Sequence, residues 1–196
     1  MLKNIKYNSF LSAVLLCLLS VDAPNAQSAS SQSTVAILDF EGRGINSLEA
    51  ATLTDRFTSE VGKTGAVRLV DRTMVKEILI EQGFQQSGCT SDECAVEVGA
   101  MLGVQFMISG AIGKLGDTFT IDAKLVSVES GASVETRNVT YIGKVDGLVT
   151  EIELLAWDIM NIDPPDALKE KKRLGAQAFL EASAAQKTRM GSLMRS

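Results

Sequence analysis

Asp39 and Glu41 are the residues whose types and spacing come nearest to chemistry. Two apart on a strand, they project from one face about 7 Å apart, a separation that paired-carboxylate hydrolases use for general acid and base. The competing reading is polar strand-end residues facing water or a helix N-terminus. Carbohydrate hydrolysis also needs aromatic platforms, and past the first 29 residues the chain offers only Trp157 and Tyr141 besides phenylalanines. The chain has no histidine, which removes Ser-His-Asp and Cys-His nucleophilic schemes, histidine-containing zinc sites and HExxH proteases. Gly62-Lys63-Thr64 resembles the end of a phosphate loop, but Phe57 stands where that loop needs a glycine and no strand precedes it. Gly42-Arg43-Gly44 lacks the third glycine of a dinucleotide fingerprint. These residues imply neither an enzyme nor a cofactor, and the hydrolase on Asp39 and Glu41 stays as an alternative.

Cysteine usage and charge narrow the setting. Residues 1–29 have the form of a secretory signal: Lys3 and Lys6 lead, an apolar run extends from Phe10 to Val21, and small residues close it. The run is too short for a resident membrane helix, and a retained anchor is the rival reading. Cys17 lies inside that run without the small preceding residue a lipoprotein signal requires. Loss of the leader leaves Cys89 and Cys94, and an even pair in an exported protein is most simply a disulfide. Cys-x-x-x-x-Cys is not the spacing of thiol oxidoreductases. The leader takes two of the 19 basic and one of the 24 acidic residues, leaving a net charge of −6. Residues 166–196 carry +4 and residues 30–165 carry −10, so nucleic acid is excluded as a partner of the core. The basic tail is the one segment suited to a peripheral membrane contact.

These residues must be positioned by a small α/β domain. Thr34–Phe40 is a continuous apolar run, the signature of a central parallel strand. Asn46 with Glu49 resembles a capping box opening a helix to about Lys63, and Ala66–Val70 forms the second strand. Asp71 caps a helix to about Gln82 that Gly83 ends. A third helix runs from a Thr90-x-x-Glu93 box to Leu102. With Thr90 as N-cap, Cys89 and Cys94 occupy the two positions a hydrophobic staple brings together. Phe106–Ile112 is a third strand, the alternation from Phe119 to Leu125 a fourth, and a fifth ends near Ile142. A last helix spans about Lys144–Ile162, and Pro164-Pro165 closes the domain. The predicted organisation is a leader (1–29), a domain (30–163) and an Ala-rich tail (164–196).

The order β-α-β-α-α-β-β-β-α with right-handed crossovers gives a three-layer α/β fold. Its mixed five-stranded sheet has order 2-1-3-4-5 and helices on both faces. A crevice is expected where strand direction reverses, lined by Asp39, Glu41, Gly42, Arg43, Gly44 and Lys114. In the last helix, Val145, Leu148, Val149, Ile152, Leu155, Ala156 and Ile159 form the stripe that faces the sheet. Leu154 and Trp157 fall outside it, as an apolar pair that either the tail covers or a partner protein does.

Three segments carry a family resemblance: VAILDFEGRG (35–44), KTGAVRLVDRTMVKEILIEQ (63–82) and GAMLGVQFMISGAIGKLGDTFTIDAKLVSVESG (99–131). They resemble the CsgG-like superfamily of bacterial envelope proteins, which includes the curli secretion component, the penicillin-binding-protein activator LpoB and the TolB amino-terminal domain. The resemblance implies a periplasmic or outer-membrane-associated binding module, with secretion as the alternative, that serves an envelope machine through protein partners or self-association. A subunit of a secretion ring is a second alternative, although the strands here are joined too tightly to hold the long hairpins of a transmembrane barrel.

Purified exported protein should show no free thiol at Cys89 or Cys94 without reductant; two titratable thiols would refute the pairing. Replacing both should cost only about 2 kcal/mol, because the loop is short.

Overall fold

The computed structural model describes residues 32–83 and 91–193. The expected leader, Cys17, Cys89 and Thr90 lie outside the described residues. Eleven elements follow one another: β1 (Thr34–Ile37), β2 (Glu41–Arg43), α1 (Ser47–Thr64), β3 (Arg68–Leu69), α2 (Arg72–Glu81), α3 (Asp92–Leu102), β4 (Phe106–Leu115), β5 (Thr118–Ser127), β6 (Ser133–Ile142), α4 (Val145–Ile159) and α5 (Asp166–Leu193).

Local chemistry sets most boundaries. The Asn46 side chain accepts from the Glu49 backbone N–H at 2.8 Å while the Glu49 carboxylate accepts from Asn46 N–H at 3.1 Å, closing the expected capping box. Asp71 caps α2 by accepting from Thr73 N–H at 2.7 Å. The box expected at Thr90 is replaced by a Ser91 cap, whose hydroxyl accepts from Cys94 N–H at 3.2 Å. Cys94 is thereby N3 rather than N4, and the staple geometry shifts by one residue.

The sheet has the expected order, here β3-β1-β4-β5-β6. β1 runs parallel to both β3 and β4, whereas β4-β5-β6 is an antiparallel meander. On one face Val35 and Ile37 pack with Leu53, Phe57 and Val61 of α1 and Leu148, Ile152 and Leu155 of α4. On the other, Ala36 and Leu38 pack with Val75 and Leu79 of α2 and Ala95 and Val98 of α3. The α4 stripe lies on the core as its spacing predicts: five of its seven residues are buried, and Val145 and Val149 pack partly buried against it. Over β6 only the α4 side is covered; Val134, Thr136, Asn138, Thr140 and Ile142 are exposed.

One departure from the predicted strands controls the candidate site. The expected strand Thr34–Phe40 is interrupted: Ile37 pairs with Ile108, and pairing resumes at Glu41 with Ala111. Leu38, Asp39 and Phe40 therefore oppose only Ser109 and Gly110, a one-residue bulge that inverts which side chains face which layer. Phe40 crosses to the α1–α4 core, where its ring lies 5.0 Å from that of Phe57. A Cβ on Gly110 would stand 2.5 Å from the Asp122 carbonyl and 3.1 Å from the Phe40 ring, so glycine there leaves room for the aromatic.

The bulge takes Phe40 N–H out of the ladder, and Thr54 replaces the lost acceptor. Its buried hydroxyl accepts from Phe40 N–H at 3.0 Å and donates to the Ala50 carbonyl at 2.8 Å. Thr54→Val keeps the volume but strands a buried donor, so urea unfolding should show a loss of about 1–3 kcal/mol, with Thr54→Ser recovering most of it. Equal stability of the valine variant and the wild type would refute this role.

Candidate functional site

The bulge determines what becomes of the crevice. Past it, β2 lies along the C-terminal half of β4, with Arg43 opposite Gly113, so the residues after the bulge continue the sheet. Asp39 and Glu41 do not form a free carboxylate pair, because each is held by its own arginine. Arg72, the first residue of α2, makes ion pairs with both Asp39 and Asp55 of α1. Burial lowers the pKa of this guanidinium from its ordinary value. The Glu41 carboxylate accepts from Arg43 at 3.0 Å and 2.6 Å.

The six crevice residues separate into two groups. Asp39, Glu41 and Gly42 line an open depression of about 490 Å³ with Leu48 and Lys76; Arg43, paired with Glu41, is 60% exposed at the side chain. Gly44, at φ 84°, passes close to the Lys114 backbone, and a Cβ there would meet the Lys114 carbonyl at 2.8 Å. The Lys114 ammonium sits 5.3 Å from the centre of the Phe119 ring and lines a separate depression with Ile45 and Asp146. What remains is a charged surface without a free acid–base pair.

Leu154 and Trp157 are both half-buried. Trp157 approaches α1, and its indole N–H donates to Glu60 at 3.3 Å. Leu154 borders a depression shared with Ile162, Pro164, Lys169 and Lys172, so the beginning of the tail covers part of it. The outward apolar pair expected from spacing is instead divided between a helix contact and the tail.

The most developed electrostatic feature lies on α4 and was not apparent in the sequence reading. Glu60, Glu151 and Glu153 are buried. Glu153 pairs with Arg56 of α1 and accepts from Lys171 of α5 at 2.8 Å. Glu151 accepts from Lys172 at 2.9 Å, and Lys63 donates to Glu60 at 2.5 Å. Burial pushes the Glu153 carboxyl up, but the hydrogen bonds from Lys171 and Arg56 outweigh it and hold the group below the ordinary glutamate range. The signal was present as complementary charge blocks: two acids inside the apolar run 148–157 and four cations at 169–173. Periodicity places Glu153 beside the apolar stripe and gives no sign that α1 and α5 converge on it.

Cys94 is disulfide-bonded, while Cys89 lies outside the described residues. Among the described residues no group of His, Cys, Asp or Glu could hold a metal ion, and no helix is long and apolar enough to cross a membrane.

Comparison with known proteins gives a family and a fold. Residues 20–135, more than half the chain, match the family model described as peptidoglycan-synthase activator LpoB. Curated protein sequences give no match. Among solved structures, the lipoprotein GNA1162 from Neisseria meningitidis aligns at a TM-score of 0.50 and 11% identity, covering 66% of this chain and 99% of that one. The LpoB C-terminal domain from Salmonella enterica aligns at 0.48 and 13%, covering 68% and 93%. TolB from Acinetobacter baumannii aligns at 0.42 and 9%, covering 65% and 28%.

Because the Glu153 pKa is lowered in the folded state, its contribution to stability is present above the unfolded glutamate value, about 4.3, and is lost as pH falls toward the lower folded value. Glu153→Gln should cost about 1–3 kcal/mol at neutral pH. Its stability should fall less steeply than the wild type's between that unfolded value and the lower folded one. Parallel pH–stability curves would rule the carboxylate out as a source of acid sensitivity.

Proposed function

The chain belongs to the LpoB family of peptidoglycan-synthase activators, and from that membership we propose that it is an exported, non-catalytic regulator that binds a peptidoglycan synthase and raises its activity. The match to the family over residues 20–135 carries this reading. The site chemistry agrees with it. Asp39 and Glu41 are each tied to an arginine, so neither is poised to transfer a proton, and an activator needs a recognition surface rather than a nucleophile. In this reading residues 1–29 direct export, and Cys94, in the first turn of α3, pairs with Cys89 in an oxidising compartment.

The surface around β2 is the proposed point of contact. Arg43, 60% exposed at its side chain, and Leu48, 76% exposed, offer a cation and an apolar side chain to a partner, and arginine is among the residues enriched at interface anchors. Neither residue belongs to the buried core, so both can be changed without disturbing the fold.

Adding the exported mature protein to a purified peptidoglycan synthase from the same envelope should increase glycan polymerisation, while the protein alone turns over no peptidoglycan. Arg43→Ala together with Leu48→Ala should weaken synthase binding by about tenfold or more, with an unchanged circular dichroism spectrum. Absence of both binding and stimulation by the wild-type protein would refute the proposal, as would glycan hydrolysis by the protein itself.

A further inference from the structure

Helix α5 is long but scarcely buried. From Asp166 to Lys187 every residue is exposed except Leu168, which is half-buried. An isolated helix of this kind gains little from packing, and helices in proteins owe most of their stability to a buried face. Leu174, Phe179 and Leu180 remain exposed on it, and an open groove of about 350 Å³ separates it from Tyr141, Ile142, Gly147 and Thr150. Two ion pairs join α5 to the body: Lys171 to Glu153 and Lys172 to Glu151. The two glutamate side chains are only 2% and 10% exposed, whereas the two lysines are 50% and 53% exposed.

This asymmetry separates a surface from its occupant. The carboxylates belong to α4, and Glu153 is also held by Arg56 of the neighbouring α1. The lysines reach in from solvent and would return to it at little cost, leaving Glu153 its pair with Arg56 and Glu151 without Lys172. Glu151 and Glu153 lie about 200° apart around α4, and α5 bridges them with two adjacent lysines; any helix that crosses α4 and offers two adjacent cations can make the same bridge. The groove beside it adds an apolar wall, made by Tyr141 and Ile142 and left open by Gly147, at which a Cβ would collide with the Tyr141 hydroxyl.

We propose that the outer surface of α4, flanked by Glu151 on one side and Glu153 on the other, is a docking surface for a basic helical segment of a partner protein, and that α5 occupies it in cis as an internal competitor. This deepens the regulator reading, on which it rests for the existence of a partner. The other tail cations of this region are already paired: Lys169 with Asp163 and Asp166, and Arg173 with Glu170. Lys171 and Lys172 are therefore the pair that decides occupancy. An internal competitor lowers the apparent affinity of an external ligand by the fraction of molecules in which the surface is free.

The test uses the full mature chain and, as probe, a fluorescent peptide copying residues 164–193, followed by anisotropy. The native chain should bind the peptide weakly. Lys171→Gln with Lys172→Gln in the chain should tighten binding by about tenfold, because the competitor is disabled. Adding Glu151→Gln and Glu153→Gln to that variant should return binding to the weak level. A peptide carrying the two lysine-to-glutamine changes should also fail to bind the released chain, a control that needs no further change in the protein. Equal affinity of the native and lysine-substituted chains would overturn the proposal, and so would undiminished binding of the substituted peptide. Neither outcome depends on synthase stimulation, so failure here is distinguishable from failure of the regulator reading.

Discussion

A single surplus residue in the strand that opens the sheet governs much of the molecule. Three residues, Leu38 to Phe40, are set against two, Ser109 and Gly110, and because side chains alternate with period two, the surplus inverts every later side chain. Phe40 enters the α1–α4 core, Asp39 is delivered to Arg72, and β2 is carried along β4 as a continuation of the sheet. The bulge is sustained from three sides. Thr54 accepts the displaced N–H, Gly110 makes space for the ring, and Phe57 supplies an aromatic surface.

The same constraint decides what chemistry is available. A regular strand would have presented Asp39 and Glu41 together at the edge of an open crevice. With the bulge in place, β2 continues along β4 and the carboxylates go to separate arginines. Three of the helices meet at ion pairs involving the acids of the negatively charged core: α1 and α2 through Arg72 and Asp55, and α1 and α4 through Arg56 and Glu153. Asp39 and Glu41, each tied to an arginine, are not a free acid–base pair, which accords with membership of a family of activators.

Charge separation along the chain supplies the second organising feature. Residues 30–165 carry −10 and residues 166–196 carry +4, and the structure brings the two together at α4. Buried carboxylates meet lysines that remain half in solvent, a contact more easily exchanged than an apolar one, since the lysines lose little hydration by making it. A helix attached through such contacts behaves as a ligand that happens to be covalently linked.

The sequence by itself determined the layer architecture. Apolar periodicity, caps at Asn46 and Asp71, and crossover handedness sufficed for the sheet order and for the α4 stripe, because each depends on local pattern or on a general rule of chain connection. The capping box at Asn46 was legible since both partners lie within four residues; the cap of α3 fell at Ser91 rather than Thr90, because adjacent hydroxyl residues are equivalent until the backbone chooses between them. What only the tertiary structure decided were the contacts between distant residues. The bulge needs Thr54 and Gly110 at once, the fate of Asp39 depends on where α2 places Arg72, and the burial of Glu153 depends on α1 and α5 converging on one helix. None of these has a period, since each is a coincidence in space of residues far apart in the chain, and the residues that hold the candidate site became visible only when the chain was folded.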